Sequence, residues 1–279
     1  MTAQVGIVIP CFNDLADHVR EAVESALGQD VPVDVVVVDD GSTRAETLTM
    51  LEDLPPSVKV IHTRNSGPAA ARNRGVEILA TEFVLPLDAD DRISPNFARA
   101  ASSGLARDED VFIAYADVIF FGDATGHDKK ASEVRLADIL TANRLPSCSM
   151  FRRSDWERIG GYDESLRVGH EDYEFWVRLL AEGGRAVKAA NAVFYHRIRA
   201  GSRQSQQGLE EAAVRATRAA IARNNPDHRE ALLTETGVAL HLLNRENRRL
   251  RAQLAWYHRR YGWTWRLARR LRDQGRGVQ

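Results

Sequence analysis

Paired carboxylates follow two apolar runs of this 279-residue chain, and a third acidic pair opens a helical stretch. The run Val33-Asp34-Val35-Val36-Val37-Val38 delivers Asp39-Asp40-Gly41-Ser42, and the run Glu82-Phe83-Val84-Leu85-Pro86-Leu87 delivers Asp88-Ala89-Asp90-Asp91. The third pair is Glu171-Asp172. A β-branched run of this kind predicts a buried parallel strand. Ligands of open α/β sheets bind just beyond the carboxyl ends of such strands. Carboxylates gathered there repel one another unless a cation or hydroxyl groups come between them. The pattern predicts a site for a divalent metal and a polyhydroxylated, phosphate-bearing ligand.

The elements that would carry these residues alternate along the first hundred positions. Strand signals at 5–9, 33–38, 58–61 and 82–87 are separated by helical patterns. The first helix places Val19, Val23, Ala26 and Leu27 on one face; the others lie near 45–51 and at 69–79. This order predicts an α/β fold with a doubly wound, mostly parallel sheet and helices on both its faces. The middle third is less regular: strands at 111–121, 147–151 and 192–198, a polar exposed loop at 122–130, and a helix at 171–180 with Phe175, Leu179 and Leu180 on one side. Beyond Gly201 the pattern is helical throughout. Leu240, Leu243, Asn247, Leu250, Leu254, Tyr257 and Tyr261 step by three and four residues, a heptad stripe with one polar position.

Composition bounds the reading. The net charge is only -1, yet from Leu240 onward eleven arginines face Glu246 and Asp273, an excess of +9 that leaves the remainder at -10. An acidic body without a nucleic-acid-binding motif argues against nucleic-acid partners. Cys11 and Cys148 have no CxxC spacing, so no disulfide framework is expected and a reducing compartment fits. No apolar run approaches the roughly 20 residues of a membrane span, and the N-terminus shows no signal-peptide pattern. A cytoplasmic location is expected, with peripheral contact at the membrane's inner face as an option.

Six segments in order resemble the family 2 glycosyltransferases. They are Val8-Ile9-Pro10-Cys11-Phe12-Asn13, Val38-Asp39-Asp40-Gly41-Ser42, Asn65-Ser66-Gly67-Pro68-Ala69-Ala70-Ala71-Arg72-Asn73, Leu87-Asp88-Ala89-Asp90-Asp91, Gly160-Gly161-Tyr162-Asp163-Glu164 and Gly169-His170-Glu171-Asp172-Tyr173-Glu174-Phe175-Trp176. The resemblance covers residues 4–203 and implies the GT-A fold over 1–203, with a nucleotide-sugar half to about 95 and an acceptor half from about 96. Residues 204–279 then form a helical extension. It implies an inverting, metal-dependent transfer from a nucleotide sugar, a UDP-sugar, to a glycan or lipid-linked acceptor in polysaccharide assembly.

The resemblance also implies roles for single residues. Asp88-Ala89-Asp90 is similar to the family's metal-binding DxD, with Asp90 on Mn²⁺ or Mg²⁺ and Asp88 on ribose or metal. Asp40 matches the carboxylate that accepts the uracil N–H, Pro10 the backbone that wraps the base, and Arg72 a base- or phosphate-side arginine. Asp172 matches the catalytic base. His196 resembles a late histidine near metal and diphosphate, followed by a flap at Gly201-Ser202-Arg203. Asp91 and Glu171 are candidates for contacting donor or acceptor sugar. Trp176 either stacks on a sugar or belongs to the core. Two other classes stay open at this stage: a nucleotidyltransferase, which would need a Gly-rich basic loop where Pro10-Cys11-Phe12-Asn13-Asp14 stands, and a non-catalytic sugar-nucleotide-binding module. The basic tail has three readings: a membrane surface, a dimerising helix pair, or packing on its own domain.

Overall fold

The structure, a computed structural model, describes residues 4–167, 169–199 and 207–275, with side chains of the last segment described for 211–262. The expected flap at Gly201-Ser202-Arg203 lies outside these residues. In chain order the elements are β1 (Val5–Cys11), α1 (Ala16–Leu27), β2 (Val33–Asp39), α2 (Ala45–Glu52), β3 (Val58–His62), α3 (Pro68–Ile78), β4 (Phe83–Pro86) and β5 (Arg92–Ile93). Then come α4 (Phe97–Ala106), β6 (Val111–Gly122), β7 (Gly126–Asp128), β8 (Glu133–Val134), α5 (Leu136–Ile139), β9 (Met150–Arg152) and α6 (Arg153–Ile159). The chain continues through α7 (Glu171–Ala181), β10 (Arg185–Ile198), α8 (Gln207–Asn224) and α9 (Arg229–Gly275).

One sheet runs in the order β3-β2-β1-β4-β9-β6-β10-β5. Its first four strands are parallel, as their apolar runs predict: Ile7, Val8, Ile9, Val36, Val37 and Val38 are all buried. β9 joins the halves by pairing antiparallel to both β4 and β6, and β10 lies parallel to β6. The sheet is therefore mixed in its second half. Register aligns Cys11 with Asp39, so both acidic turns leave the sheet at its carboxyl edge. Pro10 sits inside β1 without disturbing it. Val8 O accepts from Leu87 N, so the nitrogen two residues on faces the same side, beyond the end of β4.

Helix α3 approaches β1 closely because small residues face it. A Cβ at Gly75 would stand 2.3 Å from Val8 Cγ1, so Ala there would force helix and strand apart. This contact seats Ala69, Ala71 and Arg72 in the interior. α1 buries Val19, Ala22, Val23 and Ala26; Leu27, expected on that face, is 38% exposed because it begins the next turn at the helix end. α7 departs further from expectation, since every residue from Tyr173 to Ala181 is buried. Its outer face is covered by α8, through Arg218 over the Tyr173 ring at 5.3 Å and Asn224 Nδ2 donating to Glu174 Oε1 at 2.9 Å.

The first compact unit takes in α8 and runs to Arg229; the second, 230–279, is essentially α9. α9 has 47 residues, about 70 Å at 1.5 Å per residue. Among the described residues no helix is long and apolar enough to cross a membrane.

Candidate active site

The turn after β2 and the loop before α3 are held by the acids themselves. Asp39 Oδ1 accepts from Ser42 N at 2.9 Å and its Oδ2 lies 2.9 Å from His62 Nδ1. Burial pushes this carboxyl up, but the Ser42 and His62 contacts outweigh it and hold it below the usual range. Asp40 closes the neighbouring turn: Oδ1 accepts from Ser66 N and Oδ2 from Gly67 N, each at 2.8 Å. Gly67, at φ 95°, makes that turn feasible and places Pro68 at the start of α3. Thr63 Oγ1 also donates to Oδ1 at 3.4 Å, which leaves about one of the carboxylate's roughly four acceptor positions open.

Arg72 is the centre of the site. It is buried to 4% exposure, donates to Asp88 Oδ1 at 2.6 Å, and makes a short contact through Nη1 to Glu171 Oε1. Burial disfavours its charge, yet Asp88 and Glu171 more than compensate and keep it protonated. The same pairing holds Asp88 ionised against the effect of burial, and Ser147 Oγ donates to its second oxygen at 3.1 Å. Arg72 thus ties the strand-end acid Asp88 to the helix-end acid Glu171, which lie 83 positions apart in sequence. Glu171 Oε2 is buried and has no hydrogen-bond partner.

Asp172 lies beside this triad in the first turn of α7. His170 precedes the helix at φ 64° and Gly169 at φ 108°, so the chain turns sharply to aim the pair Glu171-Asp172. Asn143 Nδ2 donates to Asp172 Oδ2 at 3.0 Å. Burial, then the charge of Glu171, pushes the Asp172 carboxyl up to about 6, against the pull of Arg72. A carboxylate tuned this way is a competent proton acceptor near neutral pH.

Next to Asp88 the acids crowd. Asp90 is pushed up by burial and by Asp88, and Asp14 by burial and by Asp90. Arg199 Nη2 lies 2.7 Å from Asp90 Oδ2 and partly offsets that charge. Asp91 is fully buried: its Oδ2 lies 3.0 Å from His196 Nδ1 and its Oδ1 accepts from Arg197 N at 2.7 Å. This pair fixes the His196 ring and leaves Nε2 for another partner. Among the described residues no group of three or more His, Cys, Asp or Glu side chains is placed to hold a metal by itself. Two carboxylates, Asp88 and Asp90, in an acid-crowded site suit a hard divalent cation whose other ligands come from phosphate and water.

A cavity of about 860 Å³ gathers Arg72, Asp88, Glu171, Asp172 and His196 on one surface. Pro10, Asp40 and Asp90 do not line it; Pro10 and Asp40 stand at the strand ends beyond, and Asp90 turns to Arg199. Two expectations need correction. Trp176 is fully buried against Phe151 and Phe175, so it is core and stacks on no sugar. Asp91 has both oxygens engaged within the protein and no exposed surface, so it orients His196 rather than touching a sugar. Sequence reasoning missed Asn143, Ser147, Arg199 and the cavity-lining residues of α8. None of them carries a local signal, because each reaches the site from a distant segment.

The chain is similar to curated proteins of bacterial surface polymers. It is 32% identical over 219 residues to the succinoglycan biosynthesis protein ExoO of Rhizobium meliloti, covering 71% of this chain and 62% of that one. It is 27% identical over 210 residues to the minor teichoic acid biosynthesis protein GgaA of Bacillus subtilis, covering 69% of this chain and 47% of that one. The matches therefore span less than two thirds of these relatives. The S. aureus TarS 1–349 structure in complex with UDP-GlcNAc superposes with a TM-score of 0.66 at 23% identity, over 85% of this chain and 71% of that one, a likeness of fold. Residues 6–160, more than half of the chain, match glycosyl transferase family 2, and the chain belongs to that family.

Proposed function

We propose that the chain transfers a sugar from a UDP-sugar to a hydroxyl of a glycan or lipid-linked acceptor, with inversion at the anomeric carbon. The observation that carries this is Asp172: a carboxylate tuned to about 6, sharing one cavity with the Arg72–Asp88 pair. In the proposed reaction the acceptor oxygen attacks the anomeric carbon while its proton passes to Asp172. The bond to the diphosphate oxygen breaks with its electrons on that oxygen, and UDP leaves. A single displacement with one base inverts the centre. Glu171 Oε2, buried without a donor, is the natural acceptor for a sugar hydroxyl at this point. Asp88 and Asp90 would hold Mn²⁺ or Mg²⁺, which when bound supplies positive charge to the departing diphosphate. The choice of UDP draws support from the Asp40 and Pro10 positions and from TarS, whose structure carries UDP-GlcNAc. UDP release from a panel of UDP-sugars with an acceptor glycan tests the activity, and NMR of the first-formed product tests inversion. A retained anomeric configuration contradicts the single displacement.

The stripe on α9 supports pairing with a second copy over a membrane surface. Leu240, Leu243, Leu250, Leu254, Tyr257 and Tyr261 are each about half exposed. In a parallel pair Asn247 takes an a position, and Glu246 at g meets Arg251 at e of the partner helix, opposite charges in register.

A further inference from the structure

The family match ends at residue 160, yet one wall of the cavity beside Asp172 is built by α8, well beyond it. Ala213, Val214, Thr217 and Arg218 fall at i, i+1, i+4 and i+5 and present one helical face to the cavity. Val118 and Phe120 of β6, Phe194 of β10, and Leu145 and Pro146 of the intervening loop also line it.

Polar groups at this end are already paired. Arg218 donates to Leu140 O through a short contact and to Thr141 O at 3.1 Å. Lys130 Nζ lies 2.7 Å from Asp128 Oδ2, and Thr217 Oγ1 donates to Ala213 O at 2.8 Å. The cavity therefore has two unlike ends. The Arg72–Asp88–Glu171–Asp172 end offers charge and an unfilled acceptor. The α8 side adds apolar surface, chiefly Val214 at 41% exposure, while Ala213 and Leu145 are nearly closed and Phe120 packs edge-on against the His196 ring. Sugar hydroxyls set against hydrocarbon would lose their water partners without replacement. A hydrocarbon chain there gains about fourfold in affinity per buried methylene.

We propose that α8 recognises an apolar aglycone. The acceptor is an amphiphile whose sugar hydroxyl meets Asp172 while its hydrocarbon part lies against Val214 and Phe120. The proposal rests on the transferase reading above, and it narrows the acceptor to the lipid-linked class. The wall is also mechanically joined to the base. Arg218 pins the carbonyls of Leu140 and Thr141, and two residues on the same loop presents Asn143 to Asp172. A chain seated on α8 is thereby placed in register with the proton acceptor.

Calorimetric titration of the full chain, saturated with UDP, compares octyl β-D-glucoside below its micelle concentration with methyl β-D-glucoside. Octyl glucoside is expected to bind at least tenfold more tightly than the methyl glycoside. Val214→Asp should erase that preference, Val214→Leu should keep it, and neither should change UDP affinity. Val214 is half exposed, so both variants are compatible with the fold. Equal affinity for the two glycosides in the wild type overturns the proposal, as does an octyl preference that survives Val214→Asp, which would place the chain elsewhere on the protein. A wild type that prefers octyl glucoside at Val214 but binds neither UDP nor a UDP-sugar overturns the acceptor assignment through the transferase reading, leaving the hydrocarbon wall intact.

Discussion

Replacing Asn143 by Ala should move the acid limb of the reaction's pH profile. The Asn143 amide donates to Asp172 Oδ2 at 3.0 Å and so favours the ionised carboxylate. A neutral donor on a charged acceptor contributes about 1.5–3 kcal/mol when buried. Asp172 and Asn143 are partly exposed at the cavity mouth, so the lower end of that range applies, and water recovers some of it. At 1.36 kcal/mol per unit, about one pH unit of upward shift follows. A general base works only when deprotonated, so kcat/KM falls as pH drops through its pKa. In the wild type the limb should lie near 6, the value to which burial and Glu171 bring Asp172. In Asn143→Ala it should lie near 7. The variant should then lose most activity below pH 7 and recover most of it by pH 9. Steady-state UDP release between pH 5 and 9 measures this. A limb that stays in place while activity falls equally at every pH would show that Asn143 acts on something other than the Asp172 carboxylate.

Arg72→Ala should cost about 3 kcal/mol of stability in urea unfolding, the lower end for a broken buried pair, because it leaves the buried Glu171 without its counter-ion while Asp88, 30% exposed, keeps some water; a loss under 1 kcal/mol would mean that Glu171 also reaches water. Asp90→Ala should abolish the Mn²⁺ dependence of UDP binding in calorimetry while leaving metal-free UDP binding within a few-fold, and an unchanged dependence removes Asp90 from the metal site. Deleting residues from 240 onward should convert a dimer to a monomer in light scattering if α9 pairs through its heptad stripe. An unchanged number of subunits with loss of salt-sensitive binding to anionic vesicles would instead assign α9 to a membrane surface.

The parallel half of the fold was legible because its signals are local. The valine run of β2 can only be a strand buried on both faces, and α1 shows its period in Val19, Val23 and Ala26. The acids at strand ends followed from that sheet. The second half was harder. α4 carries Phe97, Ala98, Ala101 and Leu105 at helical spacing and went unread beside the acidic turn. The stretch 122–130, read as an exposed loop, contains β7, whose three residues are too few for a periodic signal and become a strand only by pairing with β6. Trp176 was ambiguous because the residue that packs on it from the sheet, Phe151 of β9, lies 25 positions away in sequence. The hydrogen bonds that set the site, Asn143 to Asp172 and Ser147 to Asp88, cross 29 and 59 positions and leave no periodic trace.

Asp172→Asn tests the central claim most directly. The amide keeps the shape of the carboxylate but takes no proton, so transfer to acceptor should fall by roughly 10²–10⁴. UDP-sugar affinity should stay within a few-fold, since in the proposed reaction Asp172 meets the acceptor and not the donor. One independent signature goes with it. A carboxyl whose folded pKa is raised to about 6 destabilises the protein above that pH, so the variant should gain about 1–3 kcal/mol at pH 7.5 and lose the gain below about pH 4. Turnover measured alongside binding and thermal unfolding on the same sample decides the matter. Near-normal transfer by Asp172→Asn, with its donor affinity intact, would contradict the assignment of Asp172 as the base.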